Sequence, residues 1–307
     1  MSRLSWKLLA VSAAAVLGSA QSSALPDAIK QLSRYLTVPL PIKPAAVADV
    51  WQPAVGASWQ IVLLGAVDLQ GPEDITPDVD IYDLDLFDND QETFAMLQAA
   101  GKKVICYFSA GSWEDWRDDK DDFNDEDLGK ELDGWPDERW LDLTSTNVRN
   151  IMTRRIQVAA DKGCDAIDPD NVDGYNNDNG LGLTHQDSID FVKFLSREVQ
   201  ARGMSIGLKN AGEIIGSVLG DVHFSVNEQC VQYQECETFA AFTDAGKPVF
   251  HIEYPEGAPD VSDEDLARIC SSRGDAAGSG EFSKVIKLMD VDGWVKYCDG
   301  NEYTTPQ

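Results

Sequence analysis

Histidine is scarce in this chain of 307 residues: only His185, His223 and His251 occur. They are scattered, no H-E-x-x-H is present, and no two cysteines form a C-x-x-C pair. Each histidine is therefore read as structural or surface, and a zinc ribbon or thioredoxin-type site is not indicated. A G-x-S-x-G elbow is missing, which argues against a serine hydrolase. No G-x-G-x-x-G follows the first strand-like run, which weakens a dinucleotide-binding reading. Asp168–Gly174 superficially resembles a calcium loop, but Val172 holds the fifth position and Asp173 stands where glycine is needed. No metal and no cofactor is expected. Basic residues are also few: 25 Lys plus Arg stand against 53 Asp plus Glu, for a net charge of -28. That excludes nucleic acid, whose phosphates need Lys and Arg, and anionic membrane surfaces. A neutral or cationic partner fits the field better, although acidic charge also serves the solubility of a secreted protein.

Long apolar runs are missing beyond the N-terminus. Residues 1–20 read as a signal peptide: Arg3 and Lys7 are basic, Leu8–Leu17 is apolar, and Gly18 and Ala20 are small. The expected location is secreted, extracellular or at the cell wall, with an uncleaved N-terminal anchor as the alternative and no membrane contact after cleavage. Residues 21–50, which include Pro39, Pro41 and Pro44, read as a linker, and the domain is expected over 51–307. Export permits disulfides among the six cysteines. Cys230 with Cys236 could close a small loop and Cys270 with Cys298 could tie down the tail. Cys106, inside an apolar run, reads as a buried thiol.

From Trp51 onward, short apolar runs alternate with helical patterns. The strand expectations are 59–64, 80–87, 103–110, 165–170, 205–210, 222–227, 248–254 and 284–290. The helix expectations are 91–100, 147–162, 185–202, 235–245 and 263–272. Gly101, Gly163, Gly203 and Gly246 each stand between a helix and a strand, where a C-cap belongs. Eight βα units fit a (β/α)8 TIM barrel, with a doubly wound sheet as the alternative. The acidic segment 113–133 breaks the rhythm and reads as a long loop at the barrel mouth. Trp113, Trp116, Trp135 and Trp140 interleave with it, in a pattern suited to stacking on sugars.

In such a barrel the chemistry sits at the C-terminal ends of the strands. Those ends carry Asp83 and Asp85, Tyr107, Asp168, Asp170 and Asn171, Lys209, Asn227 and Glu228, then Tyr254. Carboxylates without a nucleophilic Ser or Cys motif point to acid–base work, and two acids facing across a cleft suit glycoside hydrolysis.

The runs Ile167-Asp168-Pro169-Asp170-Asn171-Val172-Asp173-Gly174-Tyr175, Leu208-Lys209-Asn210, Val226-Asn227-Glu228-Gln229-Cys230 and Leu132-Asp133-Gly134-Trp135-Pro136-Asp137-Glu138-Arg139-Trp140-Leu141-Asp142 resemble the endo-α-1,4-polygalactosaminidase family of glycoside hydrolases. The resemblance spans Trp51 to Tyr254. It implies endo-cleavage of α-1,4-linked galactosamine polysaccharide, with Asp170 as nucleophile or stabiliser and Glu228 as general acid/base. Asp83, Asp85, Tyr107, Asp168, Asn171, Lys209, Asn227 and Tyr254 would bind the sugar. A cationic, partly deacetylated polymer is the expected partner and a monomer the expected state. Three alternatives stay open: a barrel that binds sugar without cutting it, a glycosidase for another glycan, and a metal-dependent deacetylase, which the scattered histidines disfavour.

Overall fold

The computed structural model describes residues 50–307. The expected signal peptide, and the expected linker save for Val50, lie outside the described residues. Among the described residues no helix is long and apolar enough to cross a membrane.

The strands run in chain order as β1 (Trp59–Val62), β2 (Ile81–Asp85), β3 (Lys103–Ser109), β4 (Ser112–Glu114), β5 (Leu128–Leu132), β6 (Trp135–Leu141) and β7 (Ala166–Asp170). They continue as β8 (Ser205–Lys209), β9 (Phe224–Glu228), β10 (Val249–Glu253), β11 (Ser283–Ile286), β12 (Trp294–Tyr297) and β13 (Glu302–Thr304). The eight expected barrel strands are all present, as the parallel series β1-β2-β3-β7-β8-β9-β10-β11. The main helices are α1 (Gln91–Ala99), α2 (Thr146–Lys162), α3 (His185–Gln200), the single turns α4 (Ile215–Val218) and α5 (Cys230–Tyr233), α6 (Cys236–Asp244) and α7 (Asp263–Ile269). Asp90, Ser145, Thr184 and Ser262 cap α1, α2, α3 and α7 by accepting from first-turn amides. Gly163 has φ 88° directly after α2, a left-handed stop that lets the chain turn back into β7. Between β1 and β2 the connection holds only a 3-10 turn, Pro72–Asp74, instead of a full helix.

The pleat sorts the side chains into two cores. Ile81, Ile105, Ala166, Phe224 and Phe250 point into the barrel and pack with Trp59. Their neighbours Tyr82, Leu84, Cys106, Phe108, Ile167, Leu208 and Val249 point outward, under the helices. Along the inward face the character changes from apolar at the N-terminal ends to charged at the C-terminal ends. Ile81 is followed by Asp83 and Asp85, and Ala166 by Asp168 and Asp170. Space inside is tight: a Cβ on Gly207 would stand 2.4 Å from the Phe224 ring.

The barrel is closed by side chains and by isolated backbone bonds. β1 and β11 share no ladder among the described residues, yet they lie together. The Trp59 indole donates to Ser283 O at 2.9 Å, Ser283 Oγ donates to Ala57 O at 2.6 Å, and Leu63 N donates to Val291 O at 2.8 Å. Lys287 is fully buried at this seam and donates to Ile61 O and Asp292 O. Burial pulls its ammonium down to about 7, against the pull of Asp292 and Asp290.

The structure corrects two expectations. The acidic segment 113–133 is not an unstructured loop. Its ends enter an antiparallel sheet, β4-β6-β5, over the barrel mouth. Some of its charges are paired in place. Buried Arg117 bonds Asp85 at 2.6 and 3.0 Å and Glu114 at 2.8 Å, and buried Arg155 from α2 grips Asp119 at 2.7 and 2.9 Å. Cys106 is no free thiol: it points out of β3 and is bonded to Cys164, which leads into the neighbouring β7. The pairs Cys230–Cys236 and Cys270–Cys298 form as expected.

Candidate active site

The inward acids open into a cleft of about 550 Å³ at the C-terminal ends of the strands. Asp170 ends β7 and Glu228 ends β9, with β8 between them. Lys209 ends β8, and its Nζ lies 3.1 Å from Asp170 Oδ2 and 3.2 Å from Glu228 Oε2. One ammonium thus fixes both carboxyls. Asp170 also accepts from Tyr107 OH at 2.9 Å and from Asn171 N at 2.7 Å. Glu228 accepts from Tyr254 OH at 2.6 Å and from Asn210 Nδ2 at 2.9 Å. Burial alone would raise Glu228, but Lys209, then Tyr254 and Asn210, outweigh it and hold the carboxyl below its usual value. Burial likewise opposes the charge on Lys209, yet Asp170, Glu228 and Asp168 raise it well above the ordinary lysine range.

The backbone just past each strand end is left-handed at residues other than glycine: Asn171 (φ 60°), Asn210 (φ 48°), Ala211 (φ 54°) and Gln229 (φ 60°). Such conformations cost on the order of 1 kcal/mol or more each and persist where the surroundings hold them. Here Asn171 Nδ2 donates to Ser109 and Ser112, Asn210 Oδ1 accepts from Glu228 N, and Gln229 N bonds Ile252 O. A Cβ on Gly111 would stand 1.7 Å from Asn171 O, so only glycine lets the loop after β3 pass this turn.

The other expected sugar-binding residues divide by position. Tyr107, Asn171 and Tyr254 line the cleft. Asp85 reaches it, but both its oxygens are bound by Arg117. Lys209 forms the floor, only 3% exposed. Asp83 and Asp168 sit one layer lower, fully buried, and their carboxyl oxygens have no hydrogen-bond partner in the protein. Burial, with Asp168 close by, pushes Asp83 well up. Burial, with Asp170 and Glu228 adding to it against Lys209, brings Asp168 to about 7. Asn227 points out of the barrel and bonds His251 at 2.8 Å. Asp83, Asp168 and Asn227 are thus not among the residues that line the cleft.

The strand-end reading left out residues that the small sheet and the turns bring in. Glu138 of β6 lines the cleft and accepts from Ser112 Oγ at 2.6 Å. Burial, reinforced by Glu114 and Asp170, raises it to about 7. Asp173 also lines the cleft, raised to about 6 by burial and by Asp170. Trp116 and Trp135, each 51% exposed, stand in the wall with Trp140. The tryptophan clustering around 113–140 was the sequence signal for this wall, whereas nothing local marked Glu138. Among the described residues one group has metal-ligand spacing, Cys230, Cys236 and His251, but its two sulfurs are bonded to each other.

The chain is similar to Ega3 of Aspergillus fumigatus, whose crystal structure is a complex with galactosamine. The identity is 56% over 81% of this chain and 97% of that one, with a TM-score of 0.76. It shares its fold with the glycoside hydrolase domain of PelA from Pseudomonas aeruginosa, at 14% identity over 81% of this chain and 99% of that one, with a TM-score of 0.60. A search of curated proteins finds no match. The profile of glycoside-hydrolase family GH114 matches residues 41–303. With an acid-floored, tryptophan-walled cleft on a curled α/β sheet, the chain is a glycoside hydrolase and belongs to family GH114.

Proposed function

We propose that this glycoside hydrolase cuts within α-1,4-linked galactosamine polysaccharide, with Asp170 as nucleophile and Glu228 as general acid/base. The observation that carries the reading is the shared contact of both carboxyls with Lys209 Nζ at the floor of an acidic, aromatic cleft. Two oxygens held this close to one nitrogen lie nearer to each other than the roughly 6.5–9.5 Å that inverting enzymes leave for a water. That supports a retaining, two-step reaction. In the small fraction of enzyme that carries it, since Lys209 and Tyr254 hold the carboxyl low, Glu228 gives its proton to the glycosidic oxygen as an Asp170 oxygen bonds to the anomeric carbon and the leaving sugar departs. Glu228 then takes a proton from water, whose oxygen displaces Asp170. The three donors on Asp170 keep it an acceptor, as a nucleophile must be. Once Asp170 is esterified and neutral, Lys209 faces Glu228 alone, which favours the carboxylate needed for the water step.

The substrate class rests on charge and on the relative. Glu138, Asp173, Asp133, Asp88 and Asp290 border the cleft, and the one cationic wall residue among the described residues, Arg117, is occupied by Asp85 and Glu114. A protonated 2-amino group meets attraction there, whereas an acetylated unit loses it. Ega3 was crystallised with galactosamine, which supports the same choice. Secretion by way of residues 1–20 belongs to this proposal.

The test is incubation with partly deacetylated α-1,4-galactosaminan, following reducing ends. The wild type is expected to release them, and Asp170→Asn and Glu228→Gln to lose at least about a thousandfold in kcat, as removal of a catalytic group does. Binding without release by the wild type would move the reading to a non-catalytic sugar-binding barrel.

A further inference from the structure

Beside the main cleft lies a second cavity, of about 330 Å³. It shares Asp173, Asn210, Glu228 and Gln229 with the main cleft. Glu228 therefore borders both hollows, which we read as one trough that runs past it. Among the described residues no lysine or arginine lines the smaller hollow.

Its outer wall carries Tyr233, at 62% the most exposed large apolar side chain among the described residues. This ring packs little against its own protein, yet its backbone is firmly anchored. Tyr233 ends the one-turn helix α5, bracketed by left-handed Gln229 and Gln234 (φ 60° and 59°) and closed by Cys230–Cys236. From below, the Glu253 carboxylate accepts from Val231 N at 2.7 Å. Glu253 in turn lies 3.0 Å from His251, which bonds Asn227. The fold thus fixes a bare aromatic face over the hollow, as a sugar-stacking platform requires. Two acids complete the wall. Asp173 is half-buried between the two cavities, and no side chain donates to its carboxyl among the described residues. Glu235 is exposed at the rim. Glu213, by contrast, is occupied by Tyr175 OH at 3.0 Å and Asn176 Nδ2 at 2.7 Å.

We propose that this smaller cavity binds the amino-sugar unit on the far side of the scissile bond from the tryptophan-walled cleft, with Tyr233 as stacking face and Asp173 and Glu235 as acceptors for the protonated amine. The inference rests on the galactosamine reading above. A general acid must face the leaving sugar, so the unit that departs belongs on the side of Glu228 where this hollow opens. An enzyme that cuts inside a chain needs units held on both sides of the bond, and the trough provides both.

The test uses α-1,4-galactosamine oligomers of defined length with the wild type, Tyr233→Ala, Tyr233→Phe and Glu235→Gln. Tyr233→Ala and Glu235→Gln are expected to raise KM for the longer oligomers about tenfold, with a much smaller change in kcat, and to displace the preferred cleavage position along the oligomer. Tyr233→Phe, which keeps the ring, is expected to restore the wild-type pattern. The Glu235→Gln loss should shrink in high salt, where ionic attraction is screened. Unchanged KM and product pattern in both variants of an active enzyme would overturn the far-side site alone. A wild type that neither binds nor cleaves any of the oligomers would instead overturn the galactosamine reading, and the far-side site with it.

Discussion

One buried nitrogen, Lys209 Nζ, touches Asp170 and Glu228 and has Asp168 among its neighbours. Its loss is the informative single change. In Lys209→Met the main influence that lowers Glu228 is gone, so burial raises that carboxyl. A raised general acid stays protonated to higher pH, and the alkaline limb of the kcat profile is expected to move upward. The rate at the optimum should fall about a hundredfold, because the acids lose their shared cation. Measurement of kcat against pH for both proteins checks this, since mere damage to the fold would lower the curve without moving its limb. The sequence showed the acids at the strand ends, because in a parallel barrel those ends are the mouth. It did not show depth: Asp83 and Asp85 share a face, and only the three-dimensional stagger puts one under the floor and the other on the wall. Parity was readable in principle. Asn227 adjoins Glu228 and must face the other way, as its bond to outward-facing His251 confirms.

At the scale of elements, helix–glycine–strand repeats made the barrel legible, because each left-handed glycine marks where a helix stops. The mouth was harder to read. In 113–141 the polar and apolar residues follow no single period, and three strands arise there because ion pairs to Arg117 and Arg155 compensate for burying acids. The Cys106–Cys164 bond was hidden for a different reason: its partners are 58 residues apart and meet only once β3 and β7 pair. That separation gives its removal a size. Closing a loop of this length restricts the unfolded chain by about 4 kcal/mol, so Cys106→Ala with Cys164→Ala should lose about that much stability in urea unfolding. The Cys230–Cys236 pair closes a loop of six and should contribute roughly half as much. A double alanine variant at 106 and 164 as stable as the wild type would show that the packing of β3 on β7 suffices.

Across the whole molecule the net charge is -28, and the walls of the cleft include two carboxyls raised towards neutrality. Glu138 lies at about 7 and Asp173 at about 6. Being raised, both are largely protonated at pH 5 and ionised by pH 8. A bound ammonium favours the ionised forms and lowers both values. Affinity for a galactosamine oligomer is therefore expected to rise between pH 5 and pH 7, with release of protons on binding, and to fall about tenfold between low and high salt. Calorimetry on Glu228→Gln, which keeps the Asp170 charge that helps to raise both groups, in buffers of different ionisation enthalpy reads both effects. Binding that ignored salt would remove the role assigned to the acidic walls.

The seam between β1 and β11 borders this same cleft. Leu63, Leu64 and Val291 stand in its wall, and Leu63 N bonds Val291 O directly across the gap. A continuous ladder all round would fix the girth of the mouth, since widening it would strain every rung. A clasp of separate hydrogen bonds carries no such repeat. The molecule is a rolled strip, and the strip meets itself in one wall of the cleft.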